Sequence, residues 1–147
     1  MPKEIVGLAV DHGGVVLKQT IKSRIQFAGL AVLDLGTDGE VPVDYPDYAD
    51  ILIAAMSVGD VTRGVLVCGT GIGISIAANR HKGIRAALCY DEETAILSRQ
   101  HNDANILVLG SRLISNEEAI KCYISFFETK YEGGRHQARL DKFNPVR

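Results

Sequence analysis

Gly64-Val65-Leu66-Val67-Cys68-Gly69-Thr70-Gly71-Ile72-Gly73-Ile74-Ser75-Ile76-Ala77-Ala78-Asn79 decides how this chain is read. A continuous apolar run ends in a cysteine, then glycines alternate with other residues, and a helix-forming stretch follows. That order describes a buried parallel strand, a tight loop and the N-terminus of a helix. The first turn of a helix carries unpaired amides and the positive end of the dipole, and glycines let a ligand approach the backbone, so the loop is suited to an anion. It also sets the Cys68 thiol beside a ring of N–H donors. A thiol at a helix N-terminus is favoured as thiolate and can act as base or nucleophile.

Working outward, short apolar runs alternate with longer amphipathic segments. Strands are expected at about 5–10, 31–35, 64–68, 84–88 and 105–109, and helices near 14–28, 47–58, 71–80, 91–101 and 115–129. Five βα units in succession predict a three-layer αβα, Rossmann-like domain. Its five parallel strands would be joined by right-handed crossovers, with a binding site at their carboxyl ends. Asp11 and His12 would follow the first strand, Cys68 end the third, Cys89 and Asp91 follow the fourth, and Ser111 and Arg112 follow the fifth. The longest loop, 36–46, contains Gly36, Gly39, Pro42 and Pro46, and longer loops at strand ends are often functional.

The chain has 147 residues, 46% of them hydrophobic, enough for one core and one domain over 1–147. A net charge of -2 argues against a general nucleic-acid binder, although Lys130, Arg135, His136, Arg139, Lys142 and Arg147 make the C-terminal stretch locally basic. A small anionic ligand suits that balance better. Lys3, Glu4 and Asp11 interrupt any signal-like segment, and no apolar run reaches membrane-spanning length, so a cytoplasmic protein is expected. Cys68, Cys89 and Cys122 are odd in number and lack metal-ligand spacing, so neither a disulfide framework nor a zinc site is indicated. Beyond Gly133-Gly134 a short polar helix is expected. With so few apolar positions, tail 130–147 is expected to pack on a partner subunit.

The glycine loop fails two better-known phosphate motifs. A dinucleotide fingerprint would need glycine at Ile74 and would usually follow the first strand, whereas a Walker loop would need Gly-Lys-Ser/Thr. An ordinary packing turn remains a reading of the pattern. His12 is equally readable as a loop residue capping the next helix, and Asp11 as a charge at a helix start. His101 closes the fourth helix, where histidine commonly complements the dipole. Arg135 and Arg139, four apart, would share a helical face that is more often solvated than a ligand clamp. Cys89 and Cys122 read as core filler, and His81 as part of a polar surface turn.

Seven runs add to these readings: Asp11-His12-Gly13-Gly14, Asp44-Tyr45-Pro46, Cys68 through Asn79, Gly83-Ile84-Arg85-Ala86-Ala87, Leu97-Ser98-Arg99-Gln100-His101-Asn102-Asp103, Gly110-Ser111-Arg112 and Tyr131-Glu132-Gly133-Gly134-Arg135-His136. Through them the chain resembles the ribose 5-phosphate isomerase type B family, which also includes galactose-6-phosphate isomerase subunits and allose-6-phosphate isomerases. The runs span nearly the whole chain in order.

The resemblance implies an enzyme that interconverts ribose 5-phosphate and ribulose 5-phosphate through a cis-enediolate, without metal or cofactor. It implies Cys68 as the proton-transferring base of the cysteine-using branch, with the amides from Gly69 through Gly71 and Ile72 to Gly73, and the Thr70 hydroxyl, holding the oxyanion. It further implies that His101 opens the sugar ring, that Asp11 and Tyr45 orient hydroxyls, and that Asn102 helps hold the enediolate. His12, Arg112, Arg135 and Arg139 would grip the phosphate. A homodimer with shared sites is implied, with His101, Asn102 and Arg112 crossing between subunits, and some family members assemble to tetramers. Two rival readings stand beside it: a six-carbon aldose-6-phosphate isomerase of allose or galactose type, and a sugar-phosphate or nucleotide-binding module without catalysis.

Overall fold

A computed structural model describes residues 3–143, so Arg147 and the rest of 144–147 lie outside the described residues. Strands and helices alternate along the chain: β1 (Ile5–Val10), α1 (Val15–Phe27), β2 (Ala31–Asp34), α2 (Tyr45–Ser57), β3 (Arg63–Cys68), α3 (Ile72–Asn79), β4 (Ala86–Leu88), α4 (Glu92–Asn102), β5 (Ile106–Gly110), α5 (Asn116–Glu128) and the single turn α6 (Gln137–Leu140). Short 3-10 turns cover His12–Gly14, Gly134–His136 and Asp141–Phe143.

The strands form one parallel sheet in the order β2-β1-β3-β5-β4. Right-handed crossovers tie the direction of each step across such a sheet to the face its helix covers. The steps β1 to β2 and β4 to β5 run one way, and α1 and α4 accordingly cover one face, with α5 packed against both. The steps β2 to β3 and β3 to β4 run the other way, which puts α2 and α3 together on the second face.

Period-two alternation along β3 divides its side chains between the layers. Val65 and Val67 join Leu8, Ile21, Leu107 and Phe126 on the first face. Leu66 and Cys68 join Leu52, Ile74 and Val108 on the second. Each fully buried Leu, Ile or Phe contributes roughly 1.5–3 kcal/mol relative to exposure, so both faces of the sheet are needed to hold it.

This topology also locates the site. The chain leaves β1 toward one edge and β3 toward the other, and a ligand crevice forms where such a sheet reverses, outside the carboxyl ends of the strands. Val10 pairs with Val67 and Cys68 with Gly110, so β1, β3 and β5 finish level and their following loops meet at one edge.

Two boundaries differ from the sequence expectation by two residues, the others by one or none. Helix α2 begins earlier, at Tyr45, because Asp44 takes an extended N-cap conformation and Pro46 sits in the first turn, where its fixed φ suits a helix start. Strand β4 begins later, at Ala86, because the Arg85 side chain and amide are engaged by Asn102, Asp103 and Asn105.

Candidate active site

Three loops build the carboxyl edge. After β1, the Asp11 carboxylate accepts the Gly13 N–H at 2.9 Å, and the Asp11 amide donates to Val67 O, fixing this buried acid beside the end of β3. His12 Nδ1 accepts from the Val43 amide at 3.1 Å, which ties the long loop before α2 to the site and fixes the ring's tautomer. After β5, Ser111 Oγ donates to Gly13 O at 2.6 Å, and the Ser111 and Arg112 amides donate to Cys68 O and Gly69 O at 3.0 and 2.8 Å. The loop after β3 is thereby held from both sides.

Within that loop, the Cys68 side chain is 4% exposed, and its Sγ accepts the Gly71 N–H at 3.1 Å. Gly71, at φ 77°, is the N-cap of α3. A Cβ there would fall 2.5 Å from Leu88 Cδ1 and 3.1 Å from the Gly110 amide nitrogen, so conformation and space both demand glycine. Thr70 Oγ1 accepts the Ile72 N–H at 3.2 Å, leaving the hydroxyl proton free to be donated elsewhere. Two amides expected to face an oxyanion, those of Gly71 and Ile72, are therefore engaged by the loop's own sulfur and hydroxyl. Ile72 itself is exposed. A Cβ on Gly73 would lie 2.7 Å from Tyr45 Oη, so the tyrosine ring rests against the first turn of α3.

Arg112 covers the same loop from the β5 side, and a Cβ on Gly69 would lie 3.3 Å from its guanidinium carbon. This corrects one expectation: Arg112 stands with Cys68 of its own chain. Asp11, His12, Tyr45, Cys68, Thr70 and Arg112 thus belong to one edge of one chain.

His101 and Asn102 do not join them. Helix α4 follows the carboxyl end of β4 and returns to the start of β5, so its last turn lies at the amino edge of the sheet. Its 11 residues span about 16 Å. A cavity of about 730 Å³ beside Asn102, lined in part by Arg80, Lys82, Arg85 and Phe143, opens on that edge. His81, the expected turn residue, bonds Asp50 there at 2.8 Å.

The tail starts on the same edge and on its own chain. Arg99 Nε donates to Thr129 O, the Glu132 amide donates to Gln100 O, and His136 and Leu140 are buried. The described part of the tail is therefore anchored against α4 of its own chain. Arg135 and Arg139 remain exposed; one lies in a 3-10 turn and the other in α6, not on one regular helix. Around them His101 stacks on His136 with ring centroids 4.4 Å apart, and Glu132 lies between their Nε2 atoms. Burial, with Arg135 next in effect, lowers the pKa of His136 below its ordinary value.

The description "Ribose/Galactose Isomerase" belongs to a family model matching residues 6–143. This chain belongs to that family. It is 43% identical over 141 residues to ribose-5-phosphate isomerase B of Escherichia coli, covering 96% of this chain and 95% of that protein. Among solved structures, the ribose 5-phosphate isomerase of Thermotoga maritima superposes with a TM-score of 0.95 at 45% identity, covering 97% of this chain and 99% of that one. Ribose-5-phosphate isomerase B of Mycoplasma genitalium, crystallised with bound ribulose-5-phosphate, superposes with a TM-score of 0.90 at 40% identity, covering 97% and 95%.

As a family member the chain has features its motifs did not announce. Lys18, fully buried, donates to Asp34 at 3.0 Å, to Thr37 O at 2.7 Å and to Asp38, locking the loop after β2 onto α1. A lysine in a helix pattern gives no sign of this, since its partners lie in a different element. Glu132 and His136 offered a weak signal, two coordinating residues four apart, but nothing in the sequence linked them to His101.

Proposed function

We propose that this protein interconverts ribose 5-phosphate and ribulose 5-phosphate, with Cys68 moving the proton between C2 and C1. The observation that carries this reading is the Cys68 sulfur at the N-terminus of α3, with the Gly71 N–H aimed at it from 3.1 Å. The positive end of that N–H and of the helix both face the sulfur.

The other groups take roles consistent with their positions. His101 transfers protons to open the furanose ring. Cys68 then removes the C2 proton, and charge spreads onto the substrate oxygen as the enediolate forms. The Thr70 hydroxyl and the loop amides left free support that oxygen; one such donor is typically worth about 3 kcal/mol in the transition state. Cys68 returns the proton to C1, and the O2 hydroxyl proton passes to the adjacent O1 of the cis-enediol, which completes the ketose. Asp11 and Tyr45 orient hydroxyls, Asn102 assists the enediolate, and His12 and Arg112 bind phosphate beside Arg135 and Arg139.

These groups lie on opposite edges of one subunit, and both edges are needed at a single substrate. We therefore assign the working form as a homodimer in which His101, Asn102, Arg135 and Arg139 of one chain complete the Cys68 edge of the other. Relatives support the substrate class: the Mycoplasma genitalium protein binds ribulose-5-phosphate.

A panel of ribose 5-phosphate, allose 6-phosphate and galactose 6-phosphate, followed by ketose formation, tests the assignment. Ribose 5-phosphate should show the highest kcat/KM. Preference for a six-carbon substrate would move the chain to another branch, and binding without turnover would leave a sugar-phosphate-binding module.

A further inference from the structure

We propose that His101, Glu132 and His136 form a binding site for a borderline divalent cation of the Zn²⁺ type, whose occupancy withdraws His101 from ring opening. The inhibitory half rests on the role given to His101 above; the binding half does not.

Three observations point to the site. Glu132 Oε1 lies 3.9 Å from His101 Nε2 and 3.8 Å from His136 Nε2. All three ligand atoms fall within 4.8 Å of one another. The third observation is the most telling. His136 Nε2 is buried, on a side chain only 7% exposed, and has no hydrogen-bond partner among the described residues. A buried polar atom in that condition costs free energy, and a coordinate bond would satisfy it.

The chemistry of the donors narrows the cation. Two imidazoles and one carboxylate make a three-ligand set suited to Zn²⁺ with a fourth position open, whereas Ca²⁺ and Mg²⁺ favour shells of oxygen. Bonds of about 2.0–2.1 Å in a tetrahedral site require ligand atoms roughly 3.4 Å apart. The His101 and His136 rings stack at an interplanar angle of 18°, so the partly exposed His101 must turn out of the stack before both Nε2 lone pairs meet one cation, and half-exposed Glu132 then closes on it. Arg135 and Arg139 act on His136 from the same tail and oppose a cation. That repulsion limits affinity, and it makes the site one that is occupied when the cation is abundant instead of permanently filled.

Coordination uses the lone pair on His101 Nε2. A nitrogen bound to metal neither accepts nor delivers a proton, so ring opening stops while the cation stays. Removing the cation restores it.

The test uses the full chain, stripped of metal and titrated with Co²⁺ as a spectroscopic probe and with Zn²⁺ by calorimetry. One Co²⁺ per chain should give visible d–d absorption without the near-ultraviolet charge transfer of thiolate ligation. Glu132→Gln and His136→Asn should each weaken Co²⁺ and Zn²⁺ binding by at least about tenfold. Glu132→Gln changes a half-exposed side chain, so it keeps the test open should His136→Asn fail to fold. In metal-free buffer it should turn over like wild type. Saturating Zn²⁺ should lower wild-type turnover on ribose 5-phosphate at least tenfold, reversibly on chelation, and leave Glu132→Gln active. No saturable binding, a thiolate signature assigning the metal to Cys68, or unchanged affinity in both variants overturns the site. Binding with undiminished turnover overturns the withdrawal of His101. Binding by a protein that isomerises none of the sugar phosphates upholds the site and sinks only the enzymatic reading.

Discussion

Cys68 Sγ and the Gly71 amide, 3.1 Å apart, place the reacting group of the proposed mechanism on backbone atoms instead of on another side chain. Cys68→Ala should leave the fold and sugar-phosphate binding nearly intact while lowering kcat by about 10²–10⁴-fold, since proton transfer acts only in the transition state. Substrate should still raise the melting temperature of the variant. Near-normal turnover would remove Cys68 from the mechanism. Arg135→Ala and Arg139→Ala should instead raise KM, with a smaller effect on kcat, and inorganic phosphate should compete with substrate for the wild-type site. The two changes need not add, because both side chains would touch one phosphate. At this scale the strand-to-glycine transition already pointed to the sulfur's place. What it did not show was that Gly71 and Ile72 spend their amides on Cys68 and Thr70, because hydrogen-bond direction depends on φ and ψ values that residue type only limits.

Between residues and the whole, the elements were legible wherever hydrophobic period and length agreed, as in β1, β3, β5, α1 and α5. The long loop after β2 was less so. Its anchor is Lys18, whose pKa reflects two opposing effects: burial disfavours the charge, but Asp38 and Asp34 outweigh it and raise the value above the usual 10.5. Asp34 is shifted the other way. Burial raises its pKa, yet the Gly36 amide, Lys18 and Lys22 lower it overall, below the usual 3.8. The raised lysine contributes stability that is complete below about pH 10.5 and lost as pH climbs through its folded value. The depressed carboxylate contributes stability present above its unfolded value and lost as pH falls through its lower, folded one. Lys18→Met should therefore flatten the alkaline limb of the stability profile and, by leaving Asp34 facing the interior without its buried partner, cost on the order of 3 kcal/mol at neutral pH. Urea unfolding from pH 4 to 11 reads both. An alkaline limb unchanged by the substitution would show that Lys18 does not anchor the loop.

At the scale of the molecule, a single chain separates its chemistry. Cys68, Asp11, His12 and Arg112 gather where β1, β3 and β5 end, whereas His101, Asn102 and the described tail lie where the strands begin, because a crossover helix must run back along the sheet. The βα alternation made that geometry readable in principle. Placing Arg112 needed the register of β5 against β3, which alternation leaves open, and placing His136 against His101 needed the path of a tail with little hydrophobic pattern. A site completed by a second copy follows if the two groups act on one substrate. The most direct test mixes the Cys68→Ala and His101→Asn proteins, each nearly inactive alone, exchanges subunits by mild denaturation and refolding, and isolates the mixed dimer through a tag on one chain. Shared sites predict one undamaged site per mixed dimer, and an equal mixture should recover about a quarter of wild-type activity; verified mixed dimers with no recovered activity would show that Cys68 and His101 do not meet across the interface.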